Sequence, residues 1–281
     1  MATTEDLEKG RITDTVGSFL ATIVDSEKRS TEAHKYFLQD CHCVLSKPDG
    51  LVISTVKDHL NSPGTTKPIS ASAGSVSTET LREPAQAVWV AGDLAAVWTG
   101  SRLMKDGNEV KSSVMLLSLL KVKDDWKICG VAETLWEAGT PTPSLSSNLT
   151  ETPGLMAPID ALLSAFSKPD WPALSQWFLD GGASLQSRPP AEYQVTNLEQ
   201  SIVRLQGILD QLPPGTTFEE KLHDIEARTC GDLGFVWAPF VIEAGGRKSH
   251  EGFNIFSLLK RDDRWVISGC QNIGEPLKSA A

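Results

Sequence analysis

The chain repeats part of its own sequence once, and this duplication constrains the fold more than any other feature. Residues 93–130 align without a gap onto residues 232–269, at a constant offset of 139. Thirteen aligned positions are identical, among them Trp98 and Trp237. A second, shorter match lies upstream, where Ser46-Lys47-Pro48 corresponds to Ser187-Arg188-Pro189. Because solenoid repeats are only roughly 20–50 residues long, the sequence predicts a duplicated domain.

The length of the chain suits two such domains joined by a short linker. A chain of 281 residues gives each half enough sequence to bury a core of its own. Residues 138–153 are rich in Pro, Ser, Thr and Gly, a composition typical of linkers. We therefore predict a first domain over 1–137, a linker over 138–153 and a second domain over 154–281.

Hydrophobic periodicity places helices before strands in both halves, which predicts an α+β fold. Helices are expected at Leu7–Lys28, Thr31–Leu38, Ile159–Phe166, Trp171–Phe178 and Leu198–Leu212. The long strands are expected at Leu81–Ala91, Leu94–Met104, Glu109–Val122, Trp126–Thr134, Phe218–Cys230, Leu233–Glu243, Lys248–Arg261 and Trp265–Asn272. Turns such as Gly92-Asp93 and Gly245-Gly246 separate these strands, as expected for a meander.

Charge and composition narrow the functional classes. The net charge of −10 argues against nucleic acid and anionic membranes as partners, because both attract a basic surface. No apolar run approaches the roughly 20 residues of a membrane span, and the polar N-terminus does not resemble a signal peptide, so a cytoplasmic location is expected. Five cysteines, an odd number, indicate reduced thiols. Metal-ligand clusters and phosphate-binding glycine loops are absent from the sequence, so we expect no metal site.

Two histidines in the second half are the candidate catalytic residues. Strand alternation over Lys221–Thr229 places His223 on one face with Ile225, Ala227 and Thr229. A histidine in such surroundings is typical of a pocket acid or base, and equally of a half-buried histidine with one hydrogen bond. The second candidate, His250, has Gly252, Asn254 and Phe256 on its own face.

Five further residues of the second half are candidate substrate contacts: Asn254, Tyr193, Trp237, Phe256 and Glu243. Trp237 also repeats in phase with the fold, which favours a core position for it. In the first half, Pro84 and Lys111 stand where the second half has His223 and His250. The second domain is therefore expected to carry the active pocket.

The repeated segment resembles a known superfamily. Three features carry the resemblance: Gly92-Asp93-Leu94, Trp98 in the next strand, and the Leu-Leu-Lys, Asp, Trp, Ile and Gly pattern that ends at Gly130. In these features the chain is similar to nuclear-transport-factor-two-like proteins. These are also called SnoaL-like proteins or cystatin-like α+β barrels. The resemblance is strongest over 232–269 and implies two tandem cone-shaped α+β barrels. In each, N-terminal helices are expected to pack on a curved, mainly antiparallel sheet.

The resemblance also implies a range of activities. The superfamily includes isomerases, polyketide cyclases, dehydratases and catalytically silent ligand carriers, so the fold leaves the chemistry open. Residues 167–171 and His223 further resemble scytalone dehydratase. We expect a cofactor-independent isomerase, cyclase or dehydratase that acts on a hydrophobic small molecule, such as a secondary metabolite, in the second domain. The alternative is a non-catalytic small-molecule-binding or scaffold protein.

The duplication suggests a reason for fusing two copies. Members of the superfamily commonly dimerise through the outer face of the sheet, and a fused pair supplies that partner within one chain. The two halves are therefore expected to form an intramolecular pseudo-dimer, with a further homodimer left open.

Overall fold

A computed structural model describes most of the chain, namely residues 3–61, 76–80, 86–141, 143, 145–146, 149, 152–189 and 192–277. The chain divides into two compact units, 1–144 and 145–281. Parts of two predicted segments lie outside the described residues. They are residues 81–85, which belong to the predicted strand Leu81–Ala91 and include Pro84, and residues 142, 144, 147, 148, 150 and 151, which belong to the predicted linker.

The first unit places helices on one face of a mixed sheet. Its helical segments are α1 (Thr4–Val24), α2 (Ser26–Glu32), a 3₁₀ turn (Ala33–Tyr36) and α3 (Val56–Asn61). Its strands are β1 (Phe37–Lys47), β2 (Gly50–Thr55), β3 (Val76–Thr80), β4 (Ala87–Ala91), β5 (Leu94–Lys105), β6 (Asn108–Val122) and β7 (Asp125–Glu137). The order across the sheet is β2-β1-β7-β6-β5-β3, with β4 also on β5, and β1 is parallel to β7.

Helix α1 covers this sheet because its sequence is amphipathic and capped. Thr3 and Asp6 form a capping box at its start, which satisfies two backbone donors that the helix leaves unpaired. Ile12, Val16 and Phe19 recur at helical spacing and are buried against strand residues. These sheet residues are Ala95, Val97, Met115, Leu117, Leu119, Trp126 and Ile128.

The second unit repeats this plan. Its helices are α4 (Ala157–Ser167), α5 (Trp171–Ser175) and α6 (Leu198–Asp210). Its strands are β8 (Leu145–Ser146), β9 (Phe178–Ser187), β10 (Gln194–Asn197), β11 (Phe218–Leu222), β12 (Glu226–Cys230), β13 (Leu233–Ala244), β14 (Arg247–Arg261) and β15 (Arg264–Pro276). The sheet order is β10-β9-β15-β14-β13-β12-β8, with β11 on β13 beside β12, and β9 is parallel to β15.

The predicted α+β class and the mainly antiparallel sheets are confirmed, with two corrections. Both sheets have free edge strands, so neither unit is a closed barrel over the described residues. Phe37 and Phe178 also begin strands instead of ending helices. Each opens the strand that runs parallel to the last one, opposite Ile128 in the first unit and Ile267 in the second. An apolar residue is buried equally well at the end of a helix and at the start of a strand, so hydrophobic periodicity did not distinguish the two positions.

The single strand predicted over Phe218–Cys230 is wrong, because the structure has two strands there. Leu222 pairs with Phe240, whereas Glu226 pairs with Trp237, so one extra residue enters between β11 and β12. Asp224 lies within this break with a φ of 44°. A one-residue irregularity of this kind reverses which side chains point to each face.

Candidate functional site

The inner face of the second sheet is the face packed against α4. Residues of one parity share it, because strand side chains alternate. Val236, Ala238 and Phe256 belong to one hydrophobic cluster with Ile159 of α4. The register pairs Ala238 with Asn254, so Asn254 belongs to the same inner face.

Glu220 is a carboxylate that sequence reasoning missed. On β11 the half-buried residues Phe218, Glu220 and Leu222 alternate with exposed Glu219 and Lys221. The alternation therefore directs Glu220 inward with its apolar neighbours. A carboxylate between two apolar residues at a spacing of two was the available signal. The strand break at Asp224 obscured this signal, because the inward face of the strand was assigned from the residues that follow the break.

The surroundings of Glu220 favour its neutral form. Burial raises the pKa of its carboxyl group, while the hydrogen bond from Asn254 and the charge of Arg188 act in the opposite direction. Asn254 Nδ2 donates to Glu220 Oε1 over 2.8 Å, and Asn254 is itself 3% exposed. A buried carboxylic acid with a raised pKa is a group suited to proton transfer near neutral pH.

Arg188 supplies the positive charge opposite Glu220. Its Nη1 donates to Asn272 Oδ1 over 2.6 Å and to the carbonyl oxygen of Ser187 over 2.9 Å. Nε and Nη2 have no hydrogen-bond partner among the described residues. After burial, the charge of Arg188 lowers the pKa of Glu220 and the charge of Glu220 raises the pKa of Arg188. The two charged groups therefore lie near each other.

Two glycines shape the floor beneath Arg188. Phe240, Gly252 and Gly274 lie opposite one another on adjacent strands. A Cβ atom on Gly274 would lie 3.2 Å from Arg188 Cζ and 3.2 Å from Phe240 Cζ. Only glycine allows the guanidinium and the phenyl ring to approach the sheet this closely.

Cys270 is a partly buried thiol of the inner face. It lies on β15, between β14 and β9, pairs with Phe256 and packs against the inner hydrophobic cluster. Burial raises the pKa of the Cys270 thiol to about 12, so the group is neutral near pH 7.

His250 lies on the inner face, as its alternation predicts, but at the outer end of the site. It pairs with Ile242, and Ile242 in turn pairs with Glu220. Two strand spacings separate His250 from Glu220, roughly 10 Å. Burial and then the charge of Arg188 lower the pKa of His250. His250 therefore belongs to the rim of the site, where its neutral form predominates.

His223 does not lie on the inner face. Its side chain is 51% exposed and its Nδ1 lies 3.1 Å from Asp224 Oδ2. Its backbone N–H donates to the carbonyl oxygen of Pro239. The expectation of a strand histidine beside Ile225 and Ala227 is therefore wrong, because the chain breaks strand geometry at this position. Its catalytic role stays a prediction that no inner-face contact supports.

The structure separates the other predicted substrate contacts. Phe256 lies in the inner hydrophobic core. Trp237 lies on the outer face, where its ring is 5.4 Å from that of Phe253. Glu243 is also on the outer face, paired with Lys221 Nζ over 2.6 Å. Tyr193 is half-buried just before β10. The structure thus places Asn254, His250 and Phe256 on one face of β14, with His250 towards its outer end, and places Trp237 and Glu243 on the opposite face.

No metal centre or membrane helix is found in the part of the chain that the structure describes. No group of three or more His, Cys, Asp or Glu residues is arranged to hold a metal there. None of these helices combines the length and apolarity needed to cross a membrane. The predictions of a cofactor-free site and of a cytoplasmic location stay predictions.

Comparison with known proteins identifies similar structures but no similar sequence. No protein-family model and no curated protein matches the chain. An NTF2-like protein of unknown function from Pseudomonas putida is similar with a TM-score of 0.38 and 10% identity, over 46% of this chain and 89% of that one. An NTF2-like protein with a cystatin-like fold from Novosphingobium aromaticivorans is similar with a TM-score of 0.37 and 12% identity, over 50% of this chain and 94% of that one.

A protein of unknown function with a cystatin-like fold from Nostoc punctiforme gives a similar result. Its TM-score is 0.35 and its identity 16%, over 48% of this chain and 93% of that one. Each of these structures matches about half of the chain. The likeness concerns the fold alone and says nothing about activity.

Proposed function

We propose that the second unit binds a small, largely apolar molecule at Glu220 and catalyses a cofactor-independent proton transfer on it. The observation that supports this proposal is an inner-face carboxyl group whose pKa is raised by burial, held by Asn254 and close enough to Arg188 for the guanidinium charge to act on it. Isomerisation, cyclisation and dehydration all require such a transfer. The proposal therefore keeps the reaction class expected from the sequence and moves its acid–base group from His223 to Glu220.

The proposed step uses both groups. The ionised carboxylate of Glu220 takes a proton from a carbon beside a carbonyl group. The C–H electron pair forms a C=C bond, and the C=O pair moves to oxygen, where the free Nε and Nη2 of Arg188 stabilise the negative charge. Protonated Glu220 then returns the proton to another carbon, which is isomerisation, or to a departing hydroxyl group, which is dehydration. Asn254 holds the carboxylate in place.

Proton abstraction can be tested without the natural substrate by using 5-nitrobenzisoxazole. A carboxylate base takes its ring C–H proton, the C–H electrons complete a C≡N bond, and the N–O bond breaks to give a coloured phenolate. We expect the full chain to accelerate this reaction and Glu220→Gln to reduce the rate about 100-fold, as for loss of a general base. Glu219→Gln, on the exposed face of the same strand, is the matched control and should retain full activity.

Two outcomes would contradict the proposal. The Glu220→Gln variant could react as fast as the parent chain, which would remove Glu220 from the mechanism. Alternatively, His223→Ala could abolish the reaction while Glu220→Gln does not, which would favour the assignment made from the sequence. Unfolding temperatures of the three variants show whether each remains folded.

Specific binding without chemistry is the second candidate function. It is favoured by the bonds that Glu220 and Arg188 already make to Asn254 and Asn272, since such a network also orients a ligand passively. Native mass spectrometry of the purified chain tests it. A copurified molecule that the protein returns unchanged from D₂O, without deuterium at carbon, would favour binding over catalysis.

A further inference from the structure

Two paired asparagines connect Glu220 with Arg188 on the inner face of the second sheet. Asn254 on β14 lies directly opposite Asn272 on β15, and both are buried. Asn254 Nδ2 donates to Glu220 Oε1 over 2.8 Å, and Arg188 Nη1 donates to Asn272 Oδ1 over 2.6 Å. The carboxyl group and the guanidinium are therefore held by neighbouring side chains of one face, because directly opposite residues share a face.

Arg188 leaves one edge of its guanidinium group without a protein acceptor. Its Nη1 donates to Asn272 and to the carbonyl oxygen of Ser187, whereas Nε and Nη2 make no hydrogen bond or ion pair with the described residues. Arg188 is half-buried, and a charged donor in such surroundings needs an acceptor. The two N–H groups of this edge point in parallel, a geometry that matches the two oxygens of a carboxylate.

Packing holds this edge in position. A Cβ atom on Gly274 would lie 3.2 Å from Arg188 Cζ and 3.3 Å from Arg188 Nε, so the guanidinium lies against the backbone of β15. Together with the bonds from Nη1, this contact fixes the plane of the group. A guanidinium that is already fixed loses little conformational freedom when it binds an anion.

The charges near Arg188 and Glu220 come from β11, α6, β14 and β15. Burial lowers the pKa of Arg188, the charge of Glu220 acts to raise it, and the charge of Arg204 on α6 acts to lower it. Other titratable groups on neighbouring elements are neutral near pH 7 or exposed, namely His250, Cys270 and Asp160. When Glu220 is protonated, the two arginines thus leave an excess of positive charge, which favours an anion.

An anion at Arg188 and the charge of Glu220 oppose each other. Burial already raises the pKa of Glu220, and a second negative charge nearby raises the pKa of a carboxyl group further. An anion therefore binds best below the pKa that Glu220 has in the free protein. Above that value binding takes up a proton, and the affinity falls as pH rises.

We infer that the Nε–Nη2 edge of Arg188 binds the carboxylate of a small organic acid, and that Glu220 takes up a proton when the acid binds. The inference rests on the small-molecule site of the proposed function, but it does not require the reaction proposed there. Because protonated Glu220 no longer accepts a proton from a substrate, organic acids inhibit that reaction.

Ligand-observed ¹⁹F NMR with 4-fluorobenzoate tests the site on the full chain. We expect the fluorobenzoate signal to broaden and the signal of neutral 4-fluorobenzamide to change much less. Arg188→Gln should weaken fluorobenzoate binding by about tenfold or more, as for loss of a charged hydrogen-bonding group. Arg188→Lys should recover the affinity only in part, because lysine returns the charge without the two parallel donors.

Lys47→Gln is the matched control, since Lys47 stands at the corresponding position of the first unit. The paired asparagines have no counterpart there, because Met115 and Glu133 occupy their positions. We expect the Lys47→Gln variant to bind fluorobenzoate like the parent chain.

The proton uptake is tested by measuring the dissociation constant of fluorobenzoate between pH 5.5 and pH 8. Binding by the parent chain should weaken as pH rises, with a slope that approaches about tenfold per pH unit above the pKa of Glu220. Glu220→Gln is neutral at every pH and can still accept the hydrogen bond from Asn254. This variant should therefore keep its low-pH affinity at pH 8, whereas His250→Gln should keep the pH dependence of the parent chain.

Several results would overturn the inference. They are equal binding of the acid and the amide, undiminished binding by a folded Arg188→Gln variant, loss of binding only in Lys47→Gln, and a parent-like pH dependence in Glu220→Gln. Thermal unfolding shows whether each variant is folded. If Arg188→Gln does not fold, Arg188→Lys decides, and binding as tight as that of the parent chain would overturn the two-donor contact.

Failure of the proposed reaction gives a different result. A parent chain that binds fluorobenzoate through Arg188 but does not accelerate the opening of 5-nitrobenzisoxazole would refute the reaction and support this inference. A chain that accelerates the opening through Glu220 but does not bind fluorobenzoate would overturn this inference alone.

Discussion

Replacing Gly252 with alanine tests whether the floor of the Glu220 site depends on the absence of a side chain. A Cβ atom there would overlap the carbonyl oxygen of Ile273 and lie 2.8 Å from both Gly274 Cα and Phe240 Cζ. Ordinary van der Waals contact begins at 3.4 Å, so β14 and β15 would have to separate by more than half an ångström. Phe240 is 1% exposed and has no free space to receive the displacement.

The expected cost follows from these contacts. Overpacking typically costs about 1–3 kcal/mol, and disturbing one or two ladder hydrogen bonds adds about 1 kcal/mol each. We expect the second unit to lose roughly 3 kcal/mol and its unfolding temperature to fall by about 10 °C. Gly17→Ala is the matched control. No atom lies within 4 Å of its added Cβ, so this helical substitution should stabilise by about 1 kcal/mol.

Hydrogen exchange followed by mass spectrometry localises the effect. Peptides from β14 and β15 should exchange faster in the Gly252→Ala variant, whereas peptides from β5 and β6 should not change. A variant that unfolds at the same temperature as the parent chain, with unchanged exchange in β14, would refute this account of the glycine floor.

Two further predictions concern the stability of the first unit and the self-association of the second unit. Glu8 accepts hydrogen bonds from Trp126 Nε1 over 2.8 Å and from Lys121 Nζ over 3.1 Å, so Glu8→Ala should destabilise the first unit by about 1–2 kcal/mol. These bonds also lower the pKa of Glu8. Their contribution is therefore lost as pH falls through that lowered value, and urea titrations at pH 7 and pH 3 should show a smaller mutational effect at pH 3. Residues 145–281 expressed alone should form oligomers or precipitate, because the outer face carries the aromatic residues Trp237 and Phe253, and a stable monomer in sedimentation would refute the predicted intramolecular pairing.

The internal repeat predicted the sheets well because it reports directly on packing. Trp126 and Trp265, at matching positions, are both buried in the inner clusters of their units. The start of β1 and the strand β9 were missed, since an apolar pair such as Phe37-Leu38 fits a helix end and a strand start equally. Tertiary pairing with the last strand decides between the two, and a single sequence does not contain it.

The candidate site was predicted less well for a local reason. Alternation correctly placed Asn254 and His250 on one face, but the extra residue near Asp224 led to the wrong face for His223 and left Glu220 unnoticed. A positive φ at an aspartate is not visible in hydrophobic periodicity. The match of Ser-Lys-Pro with Ser-Arg-Pro pointed to Arg188, but its hydrogen bond to Asn272 depends on how the neighbouring strand is placed.

The central claim is that Glu220 is a proton-transfer group made unusually basic by burial. A carboxyl group whose pKa is raised on folding lowers the free energy of unfolding as pH climbs from its ordinary value towards the raised one. The direct measurement is a ¹³C NMR titration of the Glu220 carboxyl carbon, assigned with the Glu220→Gln variant. The account predicts a midpoint above the ordinary value of 4.5. A midpoint at or below 4.5 would contradict it.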